Sequence, residues 1–267
     1  MKKLQQRYRY SLILLKQLVK TDFKLRYQGS VLGYLWSLLR PLALFVILYV
    51  VFTKFLKIGE GVPHYPIYLL LGIILWNYFI EVTSGSITAI VGKGDLIRKI
   101  NFPKYVIVVA GSFSALINLT INFVVVGVFM IFSQVDIRQI VVLLPLIVLE
   151  LFIFSLAMAF FLSAAFVRFR DINYIWEVLM QGAFYATPIL YPLSLLPIAA
   201  AKWLMLNPMA QIIQDIRYVL ITPQTQTIDQ LYGTQLIRLV PFGIVLGTAI
   251  VATWYFRSRQ RFFAEEV

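Results

Sequence analysis

The chain has no cysteine and one histidine, His64, in 267 residues. The first absence excludes disulfides and thiolate metal sites. The second excludes histidine-cluster metal sites and most histidine-dependent catalysis within one chain. Charge is also scarce, at 13% of residues, and acids are outnumbered, with 12 Asp and Glu against 24 Lys and Arg. Asp95, Asp171 and Glu177 are scattered, whereas an enzyme acting on lipid-linked sugars needs carboxylates clustered to bind metal or act as a base. No glycine-rich loop ending in Gly-Lys-Ser/Thr occurs. Gly92-Lys93-Gly94-Asp95 lacks the upstream glycine at the required spacing and the hydroxyl residue, so the chain is not expected to hydrolyse ATP by itself.

What remains is apolar. Hydrophobic residues make up 60% of the chain, outside the range of a soluble domain. Several runs reach the roughly 20 residues that cross about 30 Å of hydrocarbon. Runs such as 42–52 and 141–154 are apolar all round, unlike the period-two segments of a barrel. The fold class is therefore all-α, a polytopic membrane protein. Met1 to Arg9 is basic but leads into no short apolar core with a cleavage site, so no cleavable signal is expected.

Length and apolarity predict six spans, near 34–56, 67–90, 105–132, 140–167, 174–191 and 238–256. Eight Lys and Arg lie in the N-terminal arm, four in the 91–104 loop, two in the 167–173 loop and three in the C-terminal tail, all on one side. The opposite loops carry six over more residues. By the positive-inside rule both termini are cytoplasmic, and the net charge of +12 reports cytoplasmic loops and not nucleic-acid binding. No internal repeat, low-complexity tract or domain linker is found. A secondary transporter would show paired repeats with broken helices in both halves, and only the second half here is broken.

Residues 4–28 interleave Leu, Val and Phe with Arg7, Arg9, Lys16, Lys20, Lys24 and Arg26, which predicts a basic amphipathic helix on the membrane surface. It serves as a juxtamembrane anchor or as a docking element. Arg40 either snorkels to the headgroups or joins Lys24 and Arg26 in a cationic cluster for a phosphate-bearing lipid headgroup. Glu81 and Glu150 lie within spans. A proton relay needs more such groups along a path, so each is expected to be satisfied by an Arg, a Ser/Thr or the backbone.

The 91–104 loop mixes Asp95, Arg98 and Lys99 with Leu96, Ile97, Ile100 and Phe102. It predicts a short cytoplasmic helix with an exposed apolar face, either docked in a partner's groove or laid on headgroups. The many Trp and Tyr residues divide between an interfacial belt and the lining of a path that stacks sugar rings. Tyr49, Trp76, Phe79, Tyr185 and Tyr191 are the candidates for the lining. The fifth segment is short and ends at Thr187-Pro188-Ile189-Leu190-Tyr191-Pro192. The stretch 193–221, broken at Pro197 and Asn207-Pro208, predicts re-entrant or interfacial helices capping the outer mouth, with Pro188, Pro192, Asn207 and Pro208 as gate residues.

At these positions the sequence resembles a known family. Arg26-Tyr27, Ser30, Leu32-Gly33, Trp36 and Pro41 resemble the opening signature of the type-2 ABC permeases that export polysaccharides. Leu162-Ser163, Arg168, Arg170-Asp171-Ile172, Pro188-Ile189, Tyr191-Pro192 and Asn207-Pro208 resemble its second signature in the same order, and the likeness extends over roughly residues 8–260. The resemblance implies a half-transporter in which two copies of the permease, a homodimer, pair with two ABC ATPase subunits. ATP and Mg then sit on the partner, with no cofactor in this chain. It divides the chain into a cytoplasmic interface helix, 1–33, and a single transmembrane domain, 34–267. Residues 4–28 and 93–103 would contact the ATPases, through Asp95, Leu96, Ile97, Arg98, Lys99 and Phe102. The implied substrate is a cell-surface glycan (O-antigen, capsule or wall teichoic acid) carried on polyprenyl pyrophosphate across the cytoplasmic membrane, with Lys24, Arg26 and Arg40 facing the pyrophosphate. The nearest alternative is a permease of the same kind for a drug or simple lipid.

Overall fold

The computed structural model describes residues 2–26, 33–59, 61–99 and 102–263, with the side chains of 2–10, 23, 25, 26 and 34 left aside. These residues form eleven α-helices and no strand. Helix α1 (Lys2–Arg26) packs along α5 (Tyr105–Phe132). Between them come α2 (Trp36–Tyr49), which continues as a π-helical turn over Val50–Phe55, then α3 (Tyr65–Ile87) and the short α4 (Gly94–Lys99). Next follow α6 (Leu144–Arg168), α7 (Ile172–Ala186), α8 (Ile198–Leu204), α9 (Pro208–Leu220), α10 (Ile228–Tyr232) and α11 (Leu239–Arg259).

Among the described residues, five helical stretches are long and apolar enough to cross a membrane: Trp36–Phe55, Tyr65–Ile87, Tyr105–Phe132, Gln139–Arg168 and Gln235–Arg259. They correspond to five of the six expected spans within a few residues. The other, expected over 174–191, is α7. Its 15 residues extend about 22 Å at 1.5 Å per residue, short of the hydrocarbon thickness. The chain leaves α7 at Thr187 in extended conformation, because Pro188 has no N–H to continue the helix and disfavours helical φ/ψ before it.

Helix α3 is the hub. In its apolar stretch 78% of residues are buried, against 11% for α2. It packs on α2, α5, α6, α7 and α9. Ser86 Oγ of α3 donates to Thr83 O at 2.7 Å and lies 3.3 Å from Ala159 O of α6. Trp176 of α7 donates its indole N–H to Thr83 Oγ1 at 3.2 Å. Helices α6 and α11 lie close, with the small buried Ala157 and Ala164 on the same side of α6 as Phe160. Phe160 and Phe256 meet there with ring centres 4.9 Å apart.

A polar ladder ties α3, α5 and α2 together. Asn118 of α5 donates its side-chain amide to Glu81 of α3 at 2.7 Å. One turn on, Asn122 donates to Asn118 O at 2.8 Å and approaches Ser37 O at 3.5 Å. That second carbonyl is the one Pro41 cannot serve, since proline lacks the N–H of an i to i−4 bond. At the far end, α8, α9 and α10 enclose a small core of Leu193, Ala201, Met205, Ala210 and Ile228, separate from the main one. The Asn207-Pro208 break is a helix start: Asn207 caps α9 by accepting from Met209 N at 3.0 Å, and Pro208 takes the first turn.

Candidate functional site: a polar groove, a buried clamp and a basic end

A groove of about 540 Å³ runs between α2, α3 and α7. Its α7 wall carries Asn173, Glu177 and Gln181, spaced i, i+4 and i+8, which puts all three on one helical stripe about 12 Å long. Asn77 and Ser84 of α3 face them, and Trp76, Phe184 and Tyr185 supply aromatic surface. In helices otherwise this apolar, polar side chains on one stripe need a polar counterpart, since hydrocarbon cannot satisfy them.

Above the groove the chain after α7 is pinned by Arg217 of α9. Its side chain is fully buried and donates to four acceptor contacts: Nε and Nη2 to Tyr68 O at 3.0 and 2.9 Å, Nη1 to Pro188 O at 2.6 Å, and Nη2 to Ile189 O at 2.8 Å. The guanidinium also stacks over the Tyr68 ring, 3.5 Å from its centre. Carbonyls of the segment after α7 and of Tyr68 in α3 thus serve a buried cation in place of a carboxylate. Tyr65 adds a bond to Leu190 O at 2.7 Å. Tyr191 turns its hydroxyl back to the carbonyls of Tyr185 and Ala186, each at 3.2 Å, and so closes the end of α7.

Beyond the clamp, Arg238 bridges Asp229 at 2.7 Å and Asp215 at 3.5 Å. Burial works against ionised Asp229, but bonds from Thr227 and Arg238 outweigh it and hold its carboxyl below the usual range. Burial pushes the Asp215 carboxyl up, with Arg238 and Gln211 opposing. Arg138 donates to Tyr218 O, fastening the start of α6 to the same end.

At the opposite end, Lys93 pairs with Asp22 of α1 at 3.0 Å, both about 25% exposed. The two elements expected to reach a partner are therefore joined to each other. Helix α4 differs from expectation: Ile97 and Phe102 are each 5% exposed and Leu96 is half-buried, so its apolar residues pack into this chain. The burial of α4's apolar side chains against the bundle leaves Asp95, Arg98 and Lys99 as its outer face. Ile100 lies outside the described residues.

The remaining expected residues are dispersed. Tyr185 is exposed in the groove and Trp76 borders it with its ring largely buried. Phe79 stacks on Phe154 with centres 5.5 Å apart and is 3% exposed, a core position. Tyr49 is half-buried and stacks on Phe45. Pro188, Pro192 and Pro208 are buried and Asn207 is exposed. Lys24 and Arg40 are exposed on α1 and α2, while the Arg26 side chain and residues 27–32 of the opening signature lie outside what is described. Reading the sequence missed Arg217, Gly72 and the α7 stripe. The stripe has a signal in its i, i+4, i+8 spacing, and Arg217 has one as a cation inside the moderately apolar stretch 193–221.

Comparison with known proteins agrees with this architecture. The sequence pattern of the ABC-2 type transporter family matches residues 13–221. The chain is similar to the O-antigen export system permease protein RfbA of Myxococcus xanthus, 31% identical over 261 residues, covering 95% of each chain. Two RfbA permease proteins of Klebsiella pneumoniae are 28% and 26% identical, over 86% and 78% of this chain and 90% and 80% of their own lengths. A family match across most of its length, on a bundle of membrane-length helices, means that this chain belongs to the ABC-2 type transporter family as a multi-pass membrane permease.

Proposed function

We propose that the chain is the permease subunit of an ATP-driven exporter of O-antigen-type polysaccharide. Two copies form a homodimer in the cytoplasmic membrane, with both termini cytoplasmic, and two ABC ATPase subunits bind and hydrolyse ATP with Mg. The similarity to the RfbA permeases over nearly the whole chain supports the substrate class. The interface helix, 1–33, and the transmembrane domain, 34–267, keep the roles expected of them.

The observation that carries the reading is the groove. A glycan crossing hydrocarbon needs partners for its hydroxyls and flat surfaces for its rings. The stripe of Asn173, Glu177 and Gln181 beside Phe184 and Tyr185 offers both. Exposed apolar residues on α2 and α7, such as Val46, Ile47, Val178 and Leu179, suit a second copy that completes the wall about a two-fold axis. The glycan is carried on polyprenyl pyrophosphate, with Lys24, Arg26 and Arg40 as its phosphate contacts. Asp95, Arg98 and Lys99 meet the ATPase, and Asp22–Lys93 carries its movement to α3 as a rigid-body shift. The clamped segment 187–192 and α8 to α10 form the outer gate.

The test is Asn77→Leu with Gln181→Leu, which removes both amides and keeps each position compatible with a helix. Surface polysaccharide should fall at least tenfold while the permease remains in the membrane and bound to its ATPase. Undiminished polysaccharide would remove the groove from the path.

A further inference from the structure

At the α1 end, away from the groove, a cleft of about 700 Å³ opens between the start of α5, the end of α6 and the end of α11, with Ser11 of α1 on one wall. Three cations surround it, Lys104, Arg257 and Arg261, and among the described residues no Asp or Glu lines it. Its floor is aromatic: Phe102, Phe160 and Phe256, with Phe102 and Phe256 at 5% and 2% exposure.

We propose that this cleft binds an anionic phospholipid, its headgroup phosphate held by Lys104, Arg257 and Arg261 and its first acyl carbons lying along the phenylalanines. The order of chemistry along the chain matches such a molecule. Thr253 and Arg257 lie four residues apart on α11, about 6 Å along its rise, and Arg261 follows in the turn just past its end, so the lining passes from the apolar depth of α11 to its exposed end. Guanidinium groups suit paired contacts to phosphate oxygens, and the N-terminus of the 28-residue α5 adds its positive end beside Lys104. The apolar floor is recessed below the cations, which suits an acyl chain better than the flat face of a folded partner. Helices α5, α6 and α11 are each long and apolar enough to cross a membrane, and the cations sit at the ends of α5 and α11, at headgroup level. Because α1 forms one wall, the bound lipid also braces the helix that holds Asp22. The inference stands independently of which solute is exported.

The test uses the purified full chain in nanodiscs of phosphatidylcholine alone or with equal parts phosphatidylglycerol. Phosphatidylglycerol should raise the melting temperature by several degrees, and native mass spectrometry should find it retained. The variant Lys104→Gln/Arg257→Gln/Arg261→Gln should melt like wild type in phosphatidylcholine and lose the shift. Lys16→Gln/Lys20→Gln, which removes cations of α1 outside the cleft, should keep it. If the triple variant does not fold, the exposed Arg261→Gln alone should reduce the retained lipid severalfold. Equal melting in both lipids, a shift that survives the triple variant, or an unchanged lipid yield in Arg261→Gln would overturn the proposal. A shift reproduced by inorganic phosphate in phosphatidylcholine nanodiscs would make this a free-anion site. Loss of ATPase binding in the triple variant with the lipid shift intact would make it a protein-docking face.

Discussion

The guanidinium of Arg217 occupies the space that a side chain at Gly72 would need. A Cβ built on Gly72 overlaps Arg217 Nη2 and comes within 3.3 Å of Ile189 Cγ2. A glycine on the central helix thus admits a buried arginine, and that arginine holds the segment after α7 through Pro188 O and Ile189 O. Gly72→Ala should destabilise the fold by about 1–3 kcal/mol through overpacking. Arg217→Met should cost about 3–5 kcal/mol, because Tyr68, Pro188 and Ile189 carbonyls lose their donors in a dry setting. Thermal melting in detergent checks both, and wild-type melting of Arg217→Met would refute the clamp.

The pair Asp22–Lys93 predicts coupling between α1 and the loop before α4. Asp22→Ala and Lys93→Ala should each lower stability by about 1 kcal/mol and be non-additive in a double-mutant cycle. The exchanged pair, Asp22→Lys with Lys93→Asp, should recover much of the loss. Strict additivity would mean the contact contributes nothing.

On α4 the inward and outward residues should separate stability from partner binding. Arg98→Glu with Lys99→Glu should abolish co-purification with the ATPase while the permease stays folded in the membrane. Ile97→Ala should do the reverse, costing about 2–5 kcal/mol as a core truncation. A permease that keeps its ATPase after charge reversal would move docking elsewhere.

Asp229 gives a pH dependence with a defined sign. Its carboxyl is held below its ordinary range, so the bridge to Arg238 contributes fully above about pH 4, the unfolded carboxyl value. It is lost as pH falls through the lower folded value. Asp215, pushed up by burial, acts in the opposite direction, so the informative quantity is the difference between wild type and Asp229→Asn. That difference should be under about 1 kcal/mol at neutral pH, because Arg238 is partly exposed, and shrink as pH falls below about 4. A difference that grows on acidification would contradict the assignment.

The helices were legible because membrane length and all-round apolarity are strong signals: five of six expected spans match helices within a few residues. The fifth was legible as a short, proline-ended segment, but not as one of 15 residues. Burial direction was not legible. Ile97 and Phe102 look exposed in a short charged loop, yet the loop folds back on the bundle, and only tertiary packing decides that. Trp76 and Phe79 differ likewise: α3 is enclosed on nearly every side, so its aromatics fill the core before they reach a groove. Arg217 counted as one more outer-loop cation because its acceptors, at Tyr68, Pro188 and Ile189, are distant in sequence and are backbone carbonyls, which no residue type announces.

The most direct measurement of the central claim is ATP turnover by the permease reconstituted in proteoliposomes with the ABC ATPase encoded beside it, with and without polyprenyl-pyrophosphate-linked O-antigen. A stable complex whose turnover rises severalfold with the lipid-linked glycan, and falls back in Asn77→Leu/Gln181→Leu, is the predicted result. A stable complex indifferent to the glycan would contradict polysaccharide export and point to a drug or simple lipid, and failure to form any complex would contradict the two-subunit transporter itself.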